Sequence, residues 1–163
     1  MRKMNIQHKN TYGLLACAIA LAVLCVLSVS SPMRFEHQQQ QREKAVKERL
    51  VKIRTAEEKY RLRHGVYTAD FSTLIKSGML ADSLQYIPYS DGKRFTIDAT
   101  TTIAKSGRQV PLMECSAAYD DYLKGLDKNS IDNLTQAANE SGRFPGLKFG
   151  DTTQPNDNAG NWE

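Results

Sequence analysis

The chain has 163 residues, with 22 Lys and Arg against 18 Asp and Glu, and its net charge of +4 hides a strong asymmetry. Residues 1–31 carry three bases (Arg2, Lys3, Lys9) and no acid, residues 34–63 carry ten bases and five acids, and residues 64–163 carry nine bases and thirteen acids. An acidic C-terminal part excludes a compact nucleic-acid-binding domain, which would wear its positive charge on the folded module, while 40% hydrophobic and 25% charged residues exclude wholesale disorder.

The first element is a 17-residue run without a charge, residues 13–29. At a rise of about 1.5 Å per residue it sits at the short end of what crosses a ~30 Å hydrocarbon layer. Arg2, Lys3 and Lys9 precede it, so the positive-inside rule puts residues 1–11 in the cytoplasm as a basic tail, a transmembrane helix at 12–31, and the rest across the membrane. The competing reading is a cleaved signal peptide with Ser28 and Ser30 at the required spacing, but the run is longer than the roughly 7–15 apolar residues of such peptides. Either way the following domain is exported. Cys17 and Cys25 lie inside the apolar run and leave Cys115 alone beyond it, so no internal disulfide is expected and Cys115 reads as a small buried hydrophobe on a strand.

Residues 32–63 form a stalk and amphipathic helix, free of Gly from 14 to 64 and of Pro after Pro32. Val46, Leu50, Ile53, Ala56 and Tyr60 recur at spacings of three and four, an apolar stripe suited to packing on a sheet. The half through Gln38–Gln41 is polar all round. The bases of this helix, with Glu43, Glu48, Glu57 and Glu58 between them, read as a solvated face of i,i+4 pairs. The sharper alternative is a surface for an acidic neighbour, including self-association of the basic helix with the acidic head of another copy.

The helix stops at His64-Gly65, Gly being suited to a left-handed cap. Residues 64–163 make the head. Asp70 caps a short helix whose apolar face is Phe71, Leu74 and Ile75, with Gly78 as its stop. The period then changes to two. Residues 84–89 and 95–99 flank Ser90-Asp91-Gly92-Lys93, a hairpin signal, and Lys105-Ser106-Gly107-Arg108 turns into a third strand at 109–115, where Pro111 implies an edge. Residues 130–140 predict a late helix stopped by Gly142, residues 119–128 are ambiguous, and from Phe144 onward the chain reads as Gly-, Pro-, Asn- and Asp-rich loop. The fold class is α+β: a transmembrane helix continuing into a long amphipathic helix packed on a small antiparallel β-sheet.

Nucleotide-loop and H-E-x-x-H patterns are absent from the sequence, and the histidines beyond the apolar run, His37 and His64, have no metal-ligand spacing. His64 could approach Cys115 in space, but reads more simply as a helix-end residue. Asp120 and Asp121 are neighbours that cannot share a helix face, so they read as solvated. No catalytic residue and no cofactor-binding residue is assigned, and the expected role is not enzymatic. The terminal stretch 150–163 is rich in short oxygen-bearing side chains, which suits Asx-turns or a hard cation such as Ca²⁺. Trp162 should pack back onto the body.

Ala56-Glu57-Glu58-Lys59-Tyr60, then Gly65-Val66-Tyr67, then Phe71, Leu74 and Gly78, resemble the helix end of the type IV pilin and type II secretion pseudopilin superfamily. Asn156-Asp157-Asn158-Ala159-Gly160-Asn161-Trp162 is similar to the end of the major pseudopilins, where an Asp-rich calcium loop precedes a Trp. The prepilin cleavage motif is absent: Gly13 is followed by Leu14, and the apolar run lacks the early Glu of that family. The resemblance implies a single-pass inner-membrane protein with a periplasmic pilin-like head. Its role would be that of a structural subunit of an envelope secretion or pilus-like assembly, with the other proteins of that assembly as partners. It also implies Ca²⁺ held by Asp151 and Asp157, with Asn156 and Asn158 behind them. The alternative is a membrane-tethered periplasmic binding or scaffold module outside any filament system.

Overall fold

The computed structural model describes the backbone of residues 5–163 and the side chains of residues 12–25 and 33–163. Residues 1–4 of the basic tail, and the side chains of residues 5–11 and of 26–31 in the expected transmembrane segment, lie outside the described residues. The chain divides into two compact units, Met1–Gln38 and Gln39–Glu163.

Helix α1 (Asn5–His64) accounts for the whole of the first unit that is described. Leu14, Leu15, Ile19, Leu21, Val23 and Leu24 are each more than half exposed on it, so its apolar surface has no cover of its own. Among the described residues no helix is long and apolar enough to cross a membrane; residues 26–29, which complete the apolar run, fall outside those whose side chains are described.

The second unit holds the rest of α1, then α2 (Phe71–Lys76), a 3₁₀ turn (Asp82–Gln85), β1 (Thr96–Ile103), β2 (Gln109–Ala118), α3 (Tyr119–Tyr122), α4 (Lys128–Glu140) and β3 (Gly146–Gly150). The sheet is antiparallel in the order β1-β2-β3. This is an α+β architecture of one long helix and a small three-stranded sheet. Val46, Leu50, Ile53 and Ala56 are buried, as the three-and-four spacing implies, and join Met113, Cys115, Ala117, Leu147 and Phe149 in one core. Each large aliphatic side chain withdrawn from water there contributes about 1.5–3 kcal/mol. Tyr60 is only half-buried and stacks on His64, ring centroids 4.2 Å apart.

Local stops behave as their chemistry demands. Gly65 has φ +80 and donates to Arg61 O at 2.8 Å, closing α1. The Asp70 carboxylate accepts from the Ser72 and Thr73 amides at 3.0 Å each and opens α2, and the Thr73 hydroxyl and these amides hold its carboxyl below the usual range.

Three sequence expectations are corrected. Residues 84–89 are not a strand: Tyr86 bridges Arg94 alone, Pro88 offers no N–H, and Tyr89 and Asp91 both have positive φ. Backbone pairing is confined to that bridge, Ile87 N–H donating to Lys93 O at 2.8 Å and Phe95 N–H to Gln85 O at 3.0 Å, and the buried Ser90 hydroxyl takes up Ile87 O at 2.7 Å. The strand carrying Pro111 is central, not an edge. Proline is tolerated because β3 pairs only with Glu114–Ala118, so at Pro111 β2 has a neighbour on one side only, Thr101 of β1. Residues 146–150, expected as loop, are the third strand. Leu147 and Phe149 point into the core, while Lys148 on the other face donates to Glu114 at 2.9 Å.

The basic face of α1 is also not simply solvated. Arg42 donates to Tyr122 O and Lys124 O at 3.0 and 2.8 Å, and its guanidinium lies over the Tyr89 ring. Arg49 donates to Ser83 O and Tyr86 O, and Arg54 to Asn158 O at 3.0 Å. Three loops of the head therefore end on three arginines of one helix. Asp121 is likewise not free, since Lys93 reaches it at 2.6 Å.

Candidate functional site

The terminal loop leaves β3 at Gly150 and returns to it at Gly160. Gly150 N–H donates to Ala159 O at 3.0 Å, Asn161 N–H donates to Lys148 O at 2.9 Å, and Gly160 bridges Phe149. The loop thus closes as an arch whose feet stand on one strand. Within it the Asp151 carboxylate accepts from the Thr153 hydroxyl and amide at 2.6 and 2.7 Å, and these bonds hold its carboxyl below the usual range. Asn156 Oδ1 accepts from Asn158 N–H at 3.1 Å, and Asp157 and Asn158 both have φ 55, a conformation Asn and Asp tolerate better than most residues.

All four residues expected to face a cation, Asp151, Asn156, Asp157 and Asn158, line a single cleft of about 390 Å³ with Glu58, Arg61 and Tyr67 of the opposite wall. Asn158 is its anchor, donating from Nδ2 to the Tyr67 hydroxyl at 2.7 Å and accepting from Arg54 through its carbonyl. Glu163 accepts from Gly160 N–H and pairs with Arg54 at 2.9 Å, and those two contacts depress its carboxyl. Asp151 and Asp157 supply carboxylates and Asn156 and Asn158 amide oxygens, the donor types a hard, oxygen-seeking cation takes. Asp151 and Asn156 are at the same time engaged in Asx-turns. Among the described residues no three His, Cys, Asp or Glu side chains cluster closely enough to hold a metal on their own.

Trp162 does pack back. Its ring lies against Gly160, where an added Cβ would meet it at 2.6 Å, and it lines a cleft of about 240 Å³ with Tyr119, Phe144 and Arg143. Cys115 and His64 are not brought together in any reactive sense: Cys115 is fully buried on β2, burial first and then the Glu57 charge push its thiol up, and His64 is exposed at the end of α1.

One residue of consequence is missed by the sequence reading. Glu57, assigned there to the solvated face, is fully buried. Its Oε2 accepts from Thr68 N–H at 2.9 Å, and its Oε1 has no hydrogen-bond partner. The signal was present, because Glu57 stands at the i+4 position from Ile53 and so falls on the apolar stripe.

Searches of family models, of curated proteins and of solved structures find no match to this chain.

Proposed function

We propose that this protein is a non-catalytic, single-pass inner-membrane subunit with a pseudopilin-like periplasmic head, serving an envelope secretion or pilus-like assembly. The observation that carries this reading is the double use of α1. Its residues 12–25 expose a collar of apolar side chains, while its later turns bury Val46, Leu50 and Ile53 as the core of a small antiparallel α+β head. Such a helix is suited to join a lipid phase to a folded module, and the positive residues preceding the apolar run orient it. Lys44, Lys52, Lys59 and Arg63 stay exposed on the helix and supply the charge with which it would meet an acidic neighbour, a second copy included.

The test is affinity purification of the full chain from its native membranes after brief chemical cross-linking, with mass spectrometry of bait and prey. An intact N-terminal peptide together with envelope-assembly proteins cross-linked to α1 is the expected result. A bait that begins near Ser31, or one recovered alone, sinks the reading. A second reading, a membrane-tethered binding or scaffold module, is favoured by the aromatic cleft under Trp162; it predicts an intact bait cross-linked through the head to a partner from no assembly system.

In the same reading the terminal arch takes Ca²⁺ through Asp151 and Asp157, with Asn156 and Asn158 completing the donors. Millimolar Ca²⁺ should then raise the melting temperature of the detergent-solubilised chain by several degrees, EGTA should reverse the rise, and Asp157→Asn should abolish it, since a ligand bound only by the native state stabilises it. A melting temperature indifferent to Ca²⁺ returns the arch to Asx-turns alone.

A further inference from the structure

Glu57 sits where a carboxyl group is costly. It is wholly withdrawn from solvent, and one of its oxygens is orphaned. Its remaining bond runs to the backbone of Thr68, in the segment that links α1 to α2. Among the described residues no cation answers it. On its own helix Arg54 is engaged with Asn158 and Glu163, and Arg61 lies over the Tyr67 ring. Glu58, also on α1, lines the cleft beneath the terminal arch. On β2 the neighbouring titratable groups are the buried Cys115 thiol and Glu114, and Glu114 is paired with Lys148. In the linking segment Asp70 is spent on capping α2, and the Tyr67 hydroxyl accepts from Asn158.

The segment 65–70 is therefore held at two points. Thr68 hangs on Glu57, and Tyr67 holds Asn158 of the terminal arch. We propose that Glu57 is a proton-operated latch: protonated, it lies stably under the 65–70 segment, and ionised, it favours a state in which that segment lifts and, through Tyr67, loosens the terminal arch at Asn158. The physical reason is the cost of a desolvated charge with a single hydrogen bond, which a brief opening to water relieves. Burial pushes the Glu57 carboxyl from 4.5 up to about 7, with the Thr68 amide opposing. A raised carboxyl gives stability that is complete below its ordinary value and is lost as pH rises through about 7, so the latch is closed in mild acid and loosened above neutrality. The inference concerns the head alone and holds whichever assembly the chain serves.

Hydrogen exchange of the full chain in detergent, read by mass spectrometry from pH 5 to pH 8 and normalised for intrinsic rates, tests it. Protection of residues 65–70 and 151–158 should fall together, on the order of fiftyfold, because opening returns Glu57 to an ordinary carboxyl. Glu57→Gln should remove the pH dependence in both segments while leaving α4 unchanged. Protection independent of pH, or an equal fall in Glu57→Gln, overturns the proposal. Should that variant not fold, carbon-13 titration of the wild-type glutamate carboxyls decides it. A midpoint near 7 with Tyr67 and Asn158 signals moving in step supports the latch, and a midpoint in the ordinary carboxylate range overturns it.

Discussion

If the apolar run anchors the chain as proposed, replacing Ile19 and Leu21 together with lysine should move it from the membrane pellet to the soluble fraction. Both side chains are more than half exposed on α1, near the middle of the apolar run 13–29, so the change removes no packing from the head. The magnitudes decide the outcome. Leucine, isoleucine and valine at a helix centre each favour insertion by about 0.3–0.6 kcal/mol, whereas one lysine opposes it by about 2.5–3.5 kcal/mol. The run contains nine such residues, so its advantage is roughly 3–5 kcal/mol. Two lysines reverse that sign. Alkaline carbonate extraction followed by quantitative blotting is the measurement, with Ile19→Leu as the conservative control. A double-lysine chain that stays in the pellet would show that the run does not anchor the protein, and the proposed architecture would fall with it.

Gly150→Ala should be among the most destabilising single changes available in the head, at about 3–5 kcal/mol out of a total that for a domain of this size is about 5–15 kcal/mol. Gly150 has φ +75, and a Cβ placed on it would stand 2.1 Å from Met113 O and 3.0 Å from Met113 C. Those are backbone atoms in the interior of β2, which cannot swing aside as a flexible side chain can. To admit the methyl group the strands must part at the Glu114–Gly150 pair, and the Gly150 amide that anchors the terminal arch on Ala159 moves with them. Gly107→Ala is the matched control: its φ is +78, but nothing lies within 4 Å of the added carbon, so it carries only the conformational penalty of about 1–2 kcal/mol. Denaturant unfolding should show a large fall in midpoint for the first variant and a small one for the second, with unchanged slopes. Equal losses would mean that close approach of β3 to β2 contributes nothing.

The same glycine explains why β3 was not legible in the sequence. Gly146 and Gly150 bracket only one alternating apolar pair, Leu147 and Phe149, and the same composition signals a turn. Their function is close backbone approach, a property of the partner strand that local pattern does not carry. The α1 stripe was legible because four positions repeat at helical spacing, and the caps at Asp70 and Gly65 because their chemistry is local. Glu57 was not, since charge outweighed position: a carboxylate on an apolar stripe is ordinarily at its rim, and here the 65–70 segment crosses over it. Composition and likeness single out Asp151, Asn156, Asp157 and Asn158, which line one cleft. What composition did not reveal is that Tyr67 and Arg54, distant in sequence, hold that cleft's wall in place through Asn158.

The three arginines that end on head carbonyls have a mechanical consequence. Arg42, Arg49 and Arg54 grip segments near Tyr122, Tyr86 and Asn158, so the gripping points are spread over thirteen residues of α1, about 18 Å of rise. A tug along the helix axis would strain all three attachments and the buried stripe between them at once, in shear, whereas peeling would break them in succession. Such a head resists axial extraction far better than sideways detachment. A pulling measurement with the tether on α1 should therefore give a higher rupture force along the axis than across it, and Arg49→Ala should narrow the gap between the two directions.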